Sequence, residues 1–133
     1  MKVLLDTHLL LWAAGDPDRL PTAARPFLED LQNELLFSPA SLWEIAIKAR
    51  LGKLTLQNIT TDHLIPSAQA MGISLMPLTP EEAVSQNILR ENTHPDPFDR
   101  ILIWQAIARN LVLVSADSEF RLFKQDGLKL LWK

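Results

Sequence analysis

Acidic residues dominate the chemistry this sequence can offer. Asp6, Glu44, Asp96, Asp99 and Asp117 lie far apart in the chain, yet each adjoins the end of a predicted strand or the start of a predicted helix. If such carboxylates converge, each pair about 4 Å apart repels by about 4 kcal/mol at an effective dielectric of about 20. A small domain holds several such pairs only when protons or divalent cations screen them. The chain has no cysteine, and its three histidines, His8, His63 and His94, are widely separated, so the ligands on offer are oxygens. Oxygen ligands suit Mg2+ or Mn2+ rather than zinc. An all-carboxylate site holding one or two such ions can run phosphodiester hydrolysis, with the metal activating a water and stabilising charge on the phosphate.

The elements that must position these acids alternate along the chain. Residues 2–6 form a short apolar run ending on a carboxylate, which reads as a buried strand. A helix over 8–14 closed by Gly15 follows, then an Asp16-Pro17-Asp18 turn. A second helix covers 22–33, with Ala23, Phe27, Leu28 and Leu31 at helical spacing and Pro26 in its first turn or kinking it. Residues 35–38 form the second strand. Ser41-Leu42-Trp43-Glu44 has capping-box spacing and opens a helix to Arg50, ended by Gly52. Residues 54–58 read as irregular or extended, 61–71 as a helix unless Pro66 breaks it, and 73–75 as the third strand. Thr79-Pro80-Glu81-Glu82 is a second capping box, with proline at the first helical position, opening a helix to Arg90. After a loop over 92–97, Asp96-Pro97 caps and starts a mostly apolar helix through Ala108. The fourth strand covers 111–114, a short helix 118–124 and the closing strand 128–132.

This alternation predicts an α/β fold, a parallel sheet with helices on both faces. In such sheets ligands collect beyond the carboxyl ends of the strands. Asp6 ends the first strand and Asp117 lies three residues past the fourth. Glu44 falls in the first turn of the helix after the second strand, and Asp96 and Asp99 open the helix before the fourth.

Composition narrows the function classes. At 133 residues, with a hydrophobic fraction of 47% and mean hydropathy of +0.05, the chain has the size and apolar content of one domain, 1–133, with a filled core. No apolar run reaches the ~20 residues of a membrane span, and Met1 to Asp6 is no signal peptide, so a cytoplasmic protein is expected. The net charge is −3, and residues 1–47 hold three of the 13 Lys and Arg but seven of the 16 Asp and Glu. That is not the footprint of a protein held to nucleic acid by phosphate neutralisation alone, so a polyanionic substrate needs local basic patches or bound cations. The four glycines are scattered, which excludes a glycine-rich phosphate loop, and there is no nucleophile-elbow signature for a Ser-His-Asp triad.

Each acid also has a purely structural reading. Glu44 can be the reciprocal glutamate of its capping box, Asp96 an N-cap, Asp99 a first-turn dipole partner and Asp117 a cap. Asp6 fits that reading least well, because a carboxylate directly after Val3-Leu4-Leu5 is half-buried and an unpaired buried charge is costly. Glu119 reads as surface charge or as a peripheral acid. Lys48, Arg50 and Lys53 either hold substrate phosphates or complement a helix end, and Arg100 either pairs with Asp99 or faces substrate. His94 reads as ordering its loop, His63 as a surface residue, and Trp12, Trp43 and Trp104 as core or dimer contacts rather than base-stacking platforms.

Four segments in order carry a resemblance: Leu4-Leu5-Asp6-Thr7-His8, Trp43-Glu44-Ile45-Ala46-Ile47-Lys48, His94-Pro95-Asp96-Pro97-Phe98-Asp99-Arg100 and Leu113-Val114-Ser115-Ala116-Asp117. Over essentially the whole chain this resembles a PIN domain of the VapC-like toxin branch. The resemblance implies a three-layer α/β/α fold around a central, mainly parallel five-stranded sheet, and a Mg2+ site (Mn2+ as substitute) in an acidic quartet. Asp6, Glu44, Asp99 and Asp117 match the quartet, and Thr7 and Ser115 match small hydroxyl positions near the scissile phosphate. Asp99 is favoured over Asp96 because Asp99-Arg100-Ile101-Leu102-Ile103 matches the family's helix opening, which leaves Asp96 and Glu119 as second-rank acids. Ala116 stands where relatives often carry a basic residue.

The expected function is therefore a Mg2+-dependent endoribonuclease, the toxin of a type II toxin–antitoxin pair, with RNA as substrate, a cognate antitoxin as partner and a homodimer as its assembly. Lys48 and Arg100 join Thr7 and Ser115 as candidate substrate contacts. A non-catalytic protein- or RNA-binding module is the alternative, and a metal-dependent phosphatase a third. An open acidic groove separates the nuclease from the phosphatase, which needs a closed pocket.

Overall fold

The computed structural model describes residues 1–56 and 59–131. Its sheet has five strands, β1 (Lys2–Leu5), β2 (Glu34–Phe37), β3 (Ile73–Leu75), β4 (Val112–Val114) and β5 (Lys129–Leu131). They run in the order β3-β2-β1-β4-β5 and every pairing is parallel, as the alternation of elements predicts. The central strands are buried on both faces, which is why they read as unbroken apolar runs. Val3 and Leu5 of β1 enter one core with Leu9, Leu10, Phe37, Ile45 and Ile73, while Leu4 enters the other with Leu102, Ile103, Leu113, Phe120 and Phe123. Two helical layers therefore sandwich the sheet, the α/β/α arrangement expected.

The α-helices are α1 (Thr7–Gly15), α2 (Arg25–Glu29), α3 (Pro39–Arg50), α4 (Leu64–Ala70), α5 (Pro80–Ser85) and α6 (Pro97–Ala108), joined by tighter 3-10 turns. Several local expectations are corrected. The helix expected over 22–33 is reduced to α2, because Asp30 turns the chain: its carboxylate accepts from Gln32 N and its carbonyl from Asn33 N. Leu31 is consequently 98% exposed rather than in the core. The capping box at Ser41–Glu44 does not form. Ser38, expected to end β2, is the N-cap of α3, accepting from Ala40 N, and Pro39 takes the first turn where no N–H is needed. Pro66 does not break a helix but lies in the first turn of α4, preceded by a 3-10 turn at Thr61–His63.

The helix expected to reach Arg90 ends at Ser85, because both oxygens of Asp126 capture the backbone N–H groups of Arg90 and Glu91. The short helix expected over 118–124 is a 3-10 run, Ser118–Asp126, closed by Gly127 at φ +97, a left-handed turn that suits glycine. The closing strand is observed as far as Leu131; Trp132 lies outside the described residues, as do Gln57 and Asn58 of the stretch read as irregular. Trp12 and Trp104 are half-buried against the two cores, Trp104 donating to Ser85 Oγ, but Trp43 is 56% exposed and is no core residue.

The box at Thr79 forms fully, and its Glu82 does more than cap. Buried, Glu82 accepts from Arg109 Nε at 2.6 Å and from Gln105 Nε2 at 3.1 Å, while Gln105 Oε1 accepts from Ser38 Oγ. One polar chain thus ties α5, α6 and the start of α3, and so fixes α6 relative to β2. The Arg109 guanidinium holds the Glu82 carboxyl at about 2, well below its ordinary 4.5. A folded value below the unfolded one adds stability that is complete above pH 4.5 and is lost as pH falls toward 2. Glu82→Gln should cost about 2 kcal/mol at pH 7. Chemical denaturation from pH 7 to 3 should show that the variant lacks this part of the wild-type acid dependence.

Candidate active site

The strand order reverses direction between β1 and β4, and the carboxyl ends of these two neighbours open the crevice where a parallel sheet collects ligands. Asp6 leaves β1 here and Ser115 leaves β4. Their backbones stay paired through Asp6 N to Val114 O at 3.0 Å, and Ser115 Oγ donates to Asp6 Oδ2 at 2.6 Å. The same hydroxyl oxygen accepts from Asp117 N, so one buried serine links two of the expected acids. Asp6 Oδ1 meanwhile caps α1 by accepting from Leu9 N. Burial raises the Asp6 carboxyl above the usual range, with Asp117 adding to it. This outweighs the Ser115 and Leu9 donors, which favour the anion.

Glu44, one turn deeper in α3 than the box reading placed it, is buried at 3% exposure and caps nothing. Thr7 Oγ1 lies 2.7 Å from its Oε1, and Lys48 Nζ lies 2.5 Å from its Oε2. Lys48 also reaches Asp96 Oδ2 at 3.8 Å. Burial works against the Lys48 ammonium, but its bond to Glu44 wins and its pKa stands above normal. Asp96 caps α6 as expected, its Oδ1 accepting from Phe98 N and Asp99 N, which leaves Oδ2 for Lys48.

Asp99 meets His94, whose loop role understated its place. His94 Nε2 lies 2.9 Å from Asp99 Oδ2 and its Nδ1 lies 3.2 Å from Glu119 Oε2. Two carboxylates on the two ring nitrogens call for the doubly protonated ring. Burial opposes that charge, but Asp99, Glu119 and Asp117 outweigh it and hold His94 above its ordinary pKa. The rings of Phe120 and Phe123 pack edge-on against the imidazole. Asp99 itself is pushed up to about 6, first by burial and then by Asp96 and Glu44, against the His94 bond.

Asp6, Thr7, Glu44, Lys48, Asp96, Asp99, Asp117 and Glu119 line one hollow of about 280 Å3, together with His8 and His94. Glu44, Asp96 and Asp99 each bring an oxygen within 4.8 Å of the others. Opposite oxygens around Mg2+ stand about 4.2 Å apart, so this hard, all-oxygen set fits such an ion. The second-rank Asp96 thus shares the triplet with Asp99, while Asp6 and Asp117 line the hollow outside it. Ser115 is fully buried behind Asp6. Arg100 Nη1 donates to the carbonyls of Glu91 (2.6 Å) and His94 (3.3 Å), with its guanidinium 5.9 Å from the Phe123 ring, so it orders the loop that carries His94. Arg50, Lys53 and His63 are exposed. His8 and His94 are the site residues that sequence reasoning undervalued; the His94-Pro95-Asp96-Pro97-Phe98-Asp99 spacing was the available signal.

The high proton affinity of Asp99 makes the stability of the fold depend on pH. With the folded pKa near 6 and the ordinary value at 3.8, ionising Asp99 costs stability that is present below pH 3.8 and lost as pH rises through 6. Without divalent cations, Asp99→Asn should be more stable than wild type by about 2 kcal/mol at pH 7. Thermal melts at pH 7 and pH 4 should show that gain shrinking toward zero at the lower pH.

Comparison with known proteins agrees with this fold. A family model described as PIN domain matches residues 3–125. Ribonuclease VapC22 of Mycobacterium tuberculosis is 28% identical over 130 residues, spanning 98% of this chain and 98% of its own length. Among solved structures, VapBC2 from Rickettsia felis bound to a promoter DNA fragment gives a TM-score of 0.65 at 16% identity, covering 98% of each chain. VapBC-1 from nontypeable Haemophilus influenzae gives 0.64 at 17%, covering 98% of this chain and 97% of that one. No helix among the described residues is long and apolar enough to cross a membrane. In sequence over nearly its whole length, and in fold, this chain belongs to the PIN domain family.

Proposed function

We propose that the chain is a Mg2+-dependent endoribonuclease, the toxin of a toxin–antitoxin pair, which hydrolyses RNA phosphodiester bonds at the acidic hollow. The observation that carries this reading is the gathering of six carboxylates, Asp6, Glu44, Asp96, Asp99, Asp117 and Glu119, around one open hollow. Membership of the PIN family and the ribonuclease name of the mycobacterial relative support it. The VapBC names of the structural neighbours support an antitoxin partner, whose basic or aromatic segment would cover the hollow. A homodimer is proposed on the same family ground.

Glu44, Asp96 and Asp99 would hold a divalent ion, with Asp6 and Asp117 completing the acidic set; Mn2+ can replace Mg2+. When bound, the ion supplies water activation and neutralises charge on the phosphate. The protein's own groups then have separate tasks. Thr7 and Ser115 fix the rotamers of Glu44 and Asp6 through the hydroxyl contacts described above. His94 orients Asp99. Lys48, one third exposed, is the cation best placed to meet a backbone phosphate beside the acids. The reading as a non-catalytic module with acids kept as caps meets an obstacle at Glu44, which is buried, caps nothing and faces two other carboxylates.

Purified protein should cleave a panel of single-stranded and structured RNAs with Mg2+ or Mn2+ and not with EDTA. Asp99→Asn and Glu44→Gln should each lower the rate by about 100-fold or more, the equivalent of several kcal/mol of lost transition-state stabilisation. Asp96→Asn run beside them ranks the two neighbouring aspartates. Cleavage that persists in EDTA, or that survives undiminished in both variants, would sink the proposal.

A further inference from the structure

A second, smaller recess lies beside α1, and His8 lines both it and the acidic hollow. It holds about 130 Å3 between α1, the 3-10 turn at Pro17–Arg19 and the segment after α3, with Trp12, Arg19, Leu11 and Leu54 among its walls. His8 and Trp12 stand one turn apart on α1, their ring centroids 5.9 Å apart and their planes inclined by 53°. His8 is exposed, and Trp12 is half-buried, one part packed on the core and the rest forming the wall. Arg19 has a 65% exposed side chain, 3.6 Å from the Asp16 carboxylate, which also lines the recess. Neither ring nor the guanidinium is needed for the metal triplet.

We propose that this recess is a base subsite, which takes one nucleobase of a single-stranded RNA whose adjoining phosphate lies in the acidic hollow. The inference rests on the ribonuclease reading and deepens it. Three features select this occupant. The volume is far below the about 300 Å3 at which pockets begin to enclose drug-sized ligands, so it suits one ring system. Its walls pair two aromatic rings with a guanidinium, the groups that stack on a base whatever its identity, because every base has a π-face. Its sharing of His8 with the hollow places a base and a phosphate of one strand at neighbouring stations. Duplex RNA would keep its bases inside the helix, so the subsite selects unpaired strands, where bases can be splayed onto aromatic side chains.

The test uses a short single-stranded RNA that the wild-type protein cuts once, and a set of copies each carrying one abasic nucleotide near the cut. Wild type should show a KM raised about tenfold for one abasic position flanking the cut, with kcat unchanged. Trp12→Leu, which keeps apolar packing against the core, and His8→Ala should each raise KM severalfold on intact RNA. On the copy lacking that base they should add no further loss. Trp12→Phe should restore most of the wild-type preference, a rescue that packing alone would not tie to one nucleotide position. Equal penalties on intact and abasic RNA, or no abasic position that matters, would overturn the subsite. Failure of wild type to cut intact RNA would instead count against the ribonuclease reading. Fluorescence anisotropy of the same labelled RNAs with wild type and Trp12→Leu in Mg2+ then decides the subsite alone, and equal affinity for intact and abasic strands would overturn it.

Discussion

Repulsion among carboxylates is the constraint to which the carboxyl end of this sheet is built. Six acids line one hollow, where Lys48 pairs with Glu44 and Asp96 and the imidazole of His94 with Asp99 and Glu119. At the separations of the Glu44, Asp96 and Asp99 oxygens, each pair costs about 4 kcal/mol in a medium of effective dielectric about 20. The fold answers this by dividing the labour of each carboxylate. Asp6, Asp96 and Asp117 each use one oxygen to cap a helix, while the other is left to Ser115, to Lys48 or to the hollow. Capping, which looks like a complete explanation of an aspartate, here occupies one oxygen and leaves the other for a second contact. For Asp6 and Asp96 the cap also places the anion at the positive end of an α-helix dipole.

Geometry that tight depends on a rigid frame. Parallel pairing of β1 with β2 and β4 fixes where Asp6 and Ser115 emerge, and burial on both faces leaves those strands no freedom to slip register. The Ser38–Gln105–Glu82–Arg109 chain locks α6, which carries Asp96 and Asp99, to the start of α3, which carries Glu44. A second set of contacts holds the loop before α6: Asp126 takes the N–H groups of Arg90 and Glu91, and Arg100 takes the Glu91 and His94 carbonyls. His94 is thereby held between Asp99 and Glu119. Residues remote from the acids therefore set their spacing.

The same arrangement divides the molecule into parts that stabilise and a part that does not. Glu82, bonded to Arg109, has its proton affinity lowered and strengthens the fold at neutral pH. Asp99 and Asp6, buried among other acids, have theirs raised and weaken it. A group that raises the energy of the cation-free protein is a group whose strain a divalent ion can relieve, which is the usual exchange of stability for function.

Much of this was legible in the sequence. Short apolar runs separated by caps and turns determined the five strands, their parallel sense and the ends at which Asp6, Asp96, Asp99 and Asp117 lie, because those signals are local. The Thr79 box and the Asp96-Pro97 start form as their spacing dictates. Only the tertiary structure decided the rest. Glu44 looked like a capping residue because its three-residue spacing to Ser41 is satisfied, yet Ser38-Pro39 starts the helix and turns Glu44 toward Thr7 and Lys48. Helices expected over 22–33 and up to Arg90 were cut short by Asp30 and by the distant Asp126, whose carboxylates take over backbone N–H groups. His94, the sharing of Asp96 with Asp99, and the engagement of Arg100 away from the hollow all depend on contacts between separate elements. Local spacing determines where an element begins; which of its side chains meet depends on strand order and packing, which bring together residues that the chain itself keeps far apart.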